Sequence, residues 1–163
     1  MARGGAGRNQ AGVREIPDWQ RSGFTASWAA MKFLRLSFIP QSTDFALLLL
    51  RLSLGLGMLV LHGWSKLTGF AKMAASFNDP LGVGSQVSLG LTVFAEVVCS
   101  ALLIVGFLTR FAALTLAICM AVALFLVHGG VLTGENGGEK AFLYLAGYLT
   151  ILFAGSGKFA FEK

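Results

Sequence analysis

Four apolar runs fill most of the chain beyond residue 44. Roughly 20 apolar residues, each rising ~1.5 Å along a helix, cross the hydrocarbon core of a bilayer. The pattern therefore predicts four membrane-spanning helices, the last of them the shortest, at 45–61, 87–108, 111–127 and 141–153. Because only Thr109 and Arg110 separate the second run from the third, we expect a tight antiparallel hairpin with Arg110 at the membrane edge.

A different pattern precedes the first run. Over residues 19–40, apolar side chains that include Met31 and Leu34 share one side of a helical wheel, and Lys32 and Arg35 lie beside it. This pattern predicts an amphipathic helix in the membrane interface, and a flexible arm is the alternative.

The domain organisation follows from these patterns. Residues 1–18 are rich in Gly, Ala, Arg and Asn with little to bury, which predicts a disordered basic lead-in. Residues 19–40 form the amphipathic helix, and residues 41–163 form the transmembrane domain. The predicted fold class is an all-α membrane protein, a bundle of four transmembrane helices preceded by an amphipathic interfacial helix.

Composition and charge support a membrane protein and give it an orientation. The chain is 55% hydrophobic and 13% charged, with a mean hydropathy of +0.71, which a soluble domain of this size cannot hide in one core. Its net charge of +5 is not gathered into a basic patch with aromatics, so no nucleic-acid partner is expected. Nine of the 13 Lys and Arg residues precede the first run, follow the last or lie at Arg110. This bias predicts a multi-pass membrane protein with both termini inside. The expected location is the inner (plasma) membrane of a bacterium.

Two charged residues, Arg51 and Glu96, fall inside apolar runs. A charge that faces lipid unpaired is costly, so both side chains should face the bundle interior. Counted from the outer ends of their runs, both lie ~15 Å deep, and they could therefore meet. A structural ion pair and a proton or ligand site are equally open readings, and both residues are catalytic candidates.

A second polar cluster lies where the spans meet the outer surface. His62, Lys66, His128 and Glu139 approach this surface, and their spacing matches no metal or haem motif. Hydrogen bonding to the polar head of a lipid-soluble ligand such as a quinone is one use, and snorkelling with helix capping is the other. Arg110, close to a whole number of helical turns after Glu96, is a further candidate ligand residue.

Smaller features favour packing over chemistry. Gly55 and Gly57 leave a smooth strip on the first span where another helix can approach. Tyr144 and Tyr148 lie one turn apart on the fourth span and are expected to pack in the bundle.

Several stretches together resemble the DoxX family, over about residues 45–159. The match rests on the order and spacing of RLSLGLGMLVLHGWSKLTGF, FAEVV, GFLTRFAALTL and GEKAFLYLAGYLTILFAGSGKF. The resemblance implies a four-helix membrane bundle. It also implies a link to quinone-dependent sulfur oxidation or to membrane oxidoreductase complexes that handle oxidative stress, with which some relatives are associated.

Three functions follow as hypotheses. The first is a membrane subunit of a quinone-linked oxidoreductase or electron-transfer complex. Its redox centre would belong to a partner subunit, because the sequence has no dinucleotide-binding, haem-attachment or iron–sulfur motif. The second is a non-catalytic assembly subunit of a larger membrane complex, docked through the N-terminal arm. The third, a small-solute or proton transporter, is weakened by the lack of broken helices.

Overall fold

The structure, a computed structural model, describes residues 31, 34–36, 38–135 and 137–162. Its regular elements in this part of the chain are all helices. They are α1 (Thr43–Thr68), α2 (Phe70–Met73), α3 (Ser85–Val105), α4 (Thr109–Val127) and α5 (Glu139–Ala154). The predicted all-helical class is thereby confirmed for the described residues.

Three of these helices are long and apolar enough to cross a membrane. They are α1, α3 and α4, with mean hydropathies of 2.0, 2.2 and 2.3. The first three predicted spans are thus confirmed as helices of this kind. The fourth predicted span corresponds to α5, which has 16 residues.

Successive long helices alternate in direction. Gly63 of α1 lies against Glu96 of α3, and Gly55 lies against Ser100, so α1 and α3 are antiparallel. In the same way Gly57 and Leu54 of α1 face Tyr144 and Gly147 of α5. The close approaches predicted at Gly55 and Gly57 are therefore observed.

The two ends of the bundle differ. One end, here called the loop end, carries the 69–84 loop and the connection from α4 to α5. The other, the hairpin end, carries the turn Gly106–Leu108 between α3 and α4. Gly106 has φ +76° and Leu108 has φ +49°, so the reversal uses left-handed backbone that ends α3 earlier than predicted. The predicted tight hairpin is confirmed, with Arg110 in the first turn of α4.

The core of the bundle is built largely from small residues of α4 against larger residues of its neighbours. Ala112, Ala113 and Leu116 are fully buried and pack with Leu103 of α3 and Ile151 of α5. Small side chains at such contacts let helices approach closely, and the van der Waals packing that results is one of the forces that associate helices within lipid.

The chain divides into two compact units at Gln41/Ser42. In the first unit, Met31 and Leu34 are helical. The rest of the predicted helix over 19–40 mostly lies outside the described residues, as does the whole predicted lead-in over 1–18.

Candidate functional site

The closest charged pair of the described bundle joins α1 to α3. Lys66 Nζ lies 2.6 Å from Glu96 Oε2 and 2.9 Å from Glu96 Oε1. The Glu96 side chain is 5% exposed and that of Lys66 is 19% exposed. An ionised carboxylate this deep in an apolar bundle needs a partner, and Lys66 supplies it.

Gly63 allows this pair to form. A Cβ on Gly63 would lie 2.7 Å from the Glu96 carbonyl oxygen, so only a glycine lets the two backbones come this close. Lys66 follows Gly63 by about one turn and therefore lies above the same part of α3.

Each of the three long apolar helices contains a π-helical segment: Leu59–Gly63 in α1, Phe94–Cys99 in α3 and Ala123–Val127 in α4. Such segments are rare and occur often at functional sites, because the extra residue in the turn redirects the side chains that follow. Here one segment contains Glu96 and another ends at Gly63. Sequence reasoning missed them, since π-helices have no recognised sequence signal.

A cavity of about 480 Å³ lies beside the ion pair, between α3, α4 and the 69–84 loop. Its charged lining residues are Lys66 and Glu96, and its wall is otherwise mainly apolar, with Phe94, Ile118 and Met120 among the contributors. The volume is that of a typical small-molecule site. Because Phe94 and Ile118 are also exposed on the bundle surface, the cavity opens sideways between α3 and α4.

Asp79 fixes the loop that covers the loop end of the cavity. Its carboxylate accepts hydrogen bonds from the Ser88 hydroxyl (2.6 Å) and from the backbone N–H groups of Gly84 (2.6 Å) and Val83 (3.1 Å). These bonds, above all the one from Ser88, hold the pKa of Asp79 below its ordinary value. Neighbouring loop residues, Pro80 among them, line the cavity.

Arg51 lies elsewhere and does not pair with Glu96, so the suggested contact between them is wrong. Arg51 is fully buried and donates from Nη2 to the Phe159 carbonyl (2.9 Å) and from Nη1 to the Leu103 carbonyl (3.4 Å). Glu96 lies beside Gly63, 12 residues or ~18 Å further along α1. The depth estimate failed because α1 does not end at His62 but continues to Thr68.

A segment over residues 155–162, here called the closing segment, crosses the hairpin end. Besides the bond from Arg51, Glu162 accepts a hydrogen bond from Leu108 N (2.7 Å), and its own N–H donates to the Gly106 carbonyl (3.1 Å). Lys158 Nζ lies 3.5 Å from Asp44 at the start of α1. Arg51 therefore braces the bundle at the end opposite the cavity.

The other predicted ligand residues do not line the cavity. The His62 ring packs edge-on against Tyr144 at 5.8 Å, and Tyr144 stacks on Tyr148 at 5.9 Å. Arg110 donates from Nε to the Leu152 carbonyl (3.1 Å) and so joins α4 to α5.

His128 and Glu139 flank the connection from α4 to α5. His128 follows α4 directly and lies against Gly138, while Glu139 is exposed as the first residue of α5. Of the candidates named from the sequence, only Lys66 and Glu96 therefore face the cavity.

Comparisons with known proteins place the chain in a family. Residues 46–129 match the DoxX family. Two uncharacterized proteins of Haemophilus influenzae are similar: one is 34% identical over 65% of this chain and 81% of its own length, the other 29% identical over 63% and 70%. No solved structure matches the chain.

Proposed function

The chain belongs to the DoxX family, and from that premise we propose that it is the membrane subunit of a quinone-linked oxidoreductase. In this proposal the quinone head group binds at the Lys66–Glu96 pair. The observation that carries it is the cavity itself, a largely apolar space with one ion pair in its wall and an opening on the side of the bundle. A ligand that is mostly apolar, carries a polar head and arrives through the bilayer suits such a site.

The hydrogen-bonding capacity of the pair supports a carbonyl ligand. A lysine ammonium has three donors, and two are directed to Glu96 Oε1 and Oε2. The third remains for an acceptor in the cavity, such as a quinone oxygen. Glu96 lines the same cavity, where its carboxyl group can give a proton to the ligand or take one from it.

The redox step requires a partner. Reduction of a quinone to a quinol takes up two electrons and two protons. In the proposed complex the electrons come from a flavin or metal centre of a partner subunit, because this sequence has no motif for either. The role of this chain is to bind the quinone and handle its protons.

A topology follows as part of the proposal. We place α5 across the membrane with α1, α3 and α4, since its apolar sequence continues to Ala154 and it runs antiparallel to α1 and α4. Its 16 residues rise ~24 Å, slightly less than the hydrocarbon thickness, and the closing segment and Gly138 extend it at each end. The excess of Lys and Arg then puts the hairpin end and both termini in the cytoplasm of a bacterial inner membrane.

Photolabelling tests the site. The full-length protein in nanodiscs is irradiated with an azido-benzoquinone, and the labelled peptides are mapped by mass spectrometry. Label is expected on α3 and α4 near Phe94 and Ile118, and competed by an unlabelled short-chain quinone. Since the polar contacts orient the head group, Lys66→Met and Glu96→Gln are each expected to reduce labelling about tenfold, which is ~1.4 kcal/mol.

Lys158→Met provides the control, because Lys158 belongs to an exposed ion pair at the opposite end and its loss should leave labelling unchanged. Equal labelling of Lys66→Met, Glu96→Gln and wild type would contradict the proposal. It would favour the alternative of a non-catalytic assembly subunit, in which both buried charges act only as braces.

A further inference from the structure

The polar side chains that line the cavity are of two kinds. The charged ones are Lys66 and Glu96, which form a single ion pair. The neutral ones with oxygen or nitrogen donors are Asn78, Ser88, Thr92 and Thr115. A quinone has two carbonyl oxygens, and the ion pair supplies a donor at one place in the wall. A protein donor for the second carbonyl therefore belongs to the neutral set.

The three hydroxyls of this set already donate their protons within the protein. Ser88 Oγ donates to Asp79 Oδ1 at 2.6 Å. Thr92 and Thr115 each donate to the carbonyl four residues back, at 2.8 and 3.0 Å. A hydroxyl has only one proton to donate. Donation to a ligand would therefore cost each of them a bond that it now makes.

Asn78 differs from these three residues. An asparagine amide has two N–H donors and one carbonyl acceptor. In the described part of the chain, the Asn78 side chain is bonded to no other protein group, and it lies at the loop surface as well as in the cavity wall. An amide in that position is hydrated, and a ligand carbonyl can replace the water at little cost. Asn78 is thus the neutral lining residue best able to donate to a ligand.

The loop holds Asn78 in a defined place. Its neighbour Asp79 accepts hydrogen bonds from the Ser88 hydroxyl and from Gly84 N, each at 2.6 Å, which ties the loop to the start of α3. Pro80 restricts the backbone on the far side of Asp79, because its ring fixes φ. Adjacent Cα atoms are ~3.8 Å apart, so the Asn78 amide lies close to the level of Ser88 along α3.

The separation of the two donors along α3 suits a 1,4-quinone. Ser88 precedes Glu96, which marks the level of Lys66 Nζ, by eight residues or ~12 Å of helical rise. The carbonyl oxygens of a 1,4-quinone are ~5 Å apart, and a hydrogen bond of ~3 Å at each end puts the donors ~11 Å apart. Leu91 and Ala95 lie between the two levels and line the cavity, so an apolar wall connects the two ends.

We propose that Asn78 donates a hydrogen bond to the second carbonyl of the ligand, and that the site thereby selects 1,4-quinones. The quinone ring lies along α3, with one carbonyl at Lys66 Nζ and the other at Asn78 Nδ2. A 1,2-quinone, whose carbonyls are adjacent, cannot reach both donors. This inference rests on the proposed function and adds a second binding residue to the same site.

A ligand without the second carbonyl tests the inference together with a variant without the amide. The full-length protein in nanodiscs is photolabelled with the azido-benzoquinone in the presence of two unlabelled competitors. One is 2,3-dimethyl-1,4-naphthoquinone, whose methyl groups block addition of thiols, and the other is 1-tetralone, which keeps a single carbonyl on a similar ring system. The quinone should compete about tenfold more strongly with wild type, because it makes one more hydrogen bond.

Asn78→Leu should abolish this advantage. The quinone should compete about tenfold less strongly than with wild type, whereas competition by 1-tetralone should be unchanged, which also shows that the cavity is intact. Gln86→Leu is the matched control, because Gln86 carries the same amide, is exposed near the start of α3 and lies outside the cavity wall. The advantage of the quinone should persist in that variant.

Two results would overturn the inference. The first is an undiminished advantage of the quinone in Asn78→Leu. The second is equal weakening of both competitors, which would mean that Asn78 only shapes the loop. Lys66→Met should weaken both competitors, so that result combined with no effect of Asn78→Leu refutes this inference alone. Absence of label from α3 and α4 refutes the proposed function, and this inference with it.

Discussion

The effect of the Lys66–Glu96 ion pair on the free energy of unfolding depends on whether both partners are present. A buried ion pair contributes little net stability compared with apolar residues of the same volume, whereas a buried charge left alone is strongly destabilising. Selection for stability alone gives little reason to keep such a pair in an apolar bundle. The proposed binding of a ligand by these charges in the adjoining cavity would supply that reason.

The first prediction follows from this asymmetry. Lys66→Met leaves the Glu96 carboxylate buried without its partner and should lower the free energy of unfolding by about 3 kcal/mol. The double variant Lys66→Met, Glu96→Leu should recover most of that loss. Unfolding by denaturant in mixed micelles measures both.

The exposed pair of Lys158 and Asp44, separated by 3.5 Å, provides the control. Lys158→Met should change stability by less than about 0.5 kcal/mol, because solvent screens this pair. If the double variant were no more stable than Lys66→Met, the loss would come from Lys66 packing and not from its charge.

Single residues were harder to assign from the sequence than helices. Glu96 and Lys66 were both selected, yet Glu96 was matched with Arg51, because depth was counted from the ends of apolar runs. That count treated His62 as the end of its span. Counting apolar residues places a lysine outside the span. Lys66 nevertheless lies within α1, because its ion pair with Glu96 neutralises its charge.

At the scale of elements, the contact between α1 and α3 depends on the absence of a side chain at Gly63. The π-helical segments of both helices meet here, and the carbonyl of Glu96 occupies the space that a Cβ would need. The same contact sets the height of Lys66 above Glu96. Gly63 therefore determines both the packing of α1 on α3 and the geometry of the Lys66–Glu96 pair.

Gly63→Ala should force α1 and α3 apart and lower the free energy of unfolding by about 2 kcal/mol. Gly90→Ala is the matched control on α3, because no atom lies within 4 Å of its Cβ position. That variant should gain about 1 kcal/mol from helix propensity. Denaturant unfolding measures the free energy of unfolding of both variants. A Gly63→Ala protein as stable as wild type would show that α1 and α3 can move apart without loss of stability.

The loop over the cavity should loosen in acid. The folded pKa of Asp79 lies below its ordinary value of 3.8, so the contribution of its carboxylate is fully present above that value and is lost as pH falls through the folded pKa. Hydrogen exchange of the Val83 and Gly84 amides, corrected for intrinsic rate, should thus stay slow at neutral pH and accelerate only in acid.

Asp79→Asn should accelerate the same amides already at neutral pH, because a neutral amide accepts hydrogen bonds less strongly than a carboxylate. Glu135→Gln, in the connection from α4 to α5, should have no effect on them. Slow exchange of both amides in Asp79→Asn would mean that the backbone alone holds the loop.

Helices were predicted better than their ends. The apolar runs located α3 and α4 to within about three residues, because lipid imposes length and composition on a span. The end of α1 was misplaced by seven residues, from 61 to Thr68, since a π-helical segment carries the helix through His62-Gly63. The cavity could not be predicted, because it arises where α3, α4 and a loop fail to fill the space between them.

At the scale of the whole molecule, the proposed topology makes the two ends of the bundle chemically distinguishable. Single cysteines introduced at Ala71 or Thr133 should react with a membrane-impermeant maleimide in intact cells, and one introduced at Lys158 should react only after the membrane is permeabilised. Native Cys99 is buried and Cys119 partly so, which limits background labelling. Labelling of position 158 in intact cells would show that α5 does not cross.

The bond from Arg51 to the Phe159 carbonyl also bears on the order of synthesis. When α1 leaves the ribosome, the acceptor of the shorter Arg51 hydrogen bond, the Phe159 carbonyl, has not been synthesised, because it lies 108 residues later in the chain. Until then the guanidinium must stay in contact with water, with lipid phosphates or with the insertion machinery. We therefore expect α1 to reach its final packing only after the closing segment has been synthesised. Truncation before Phe159 should leave a protein that membrane quality-control proteases degrade.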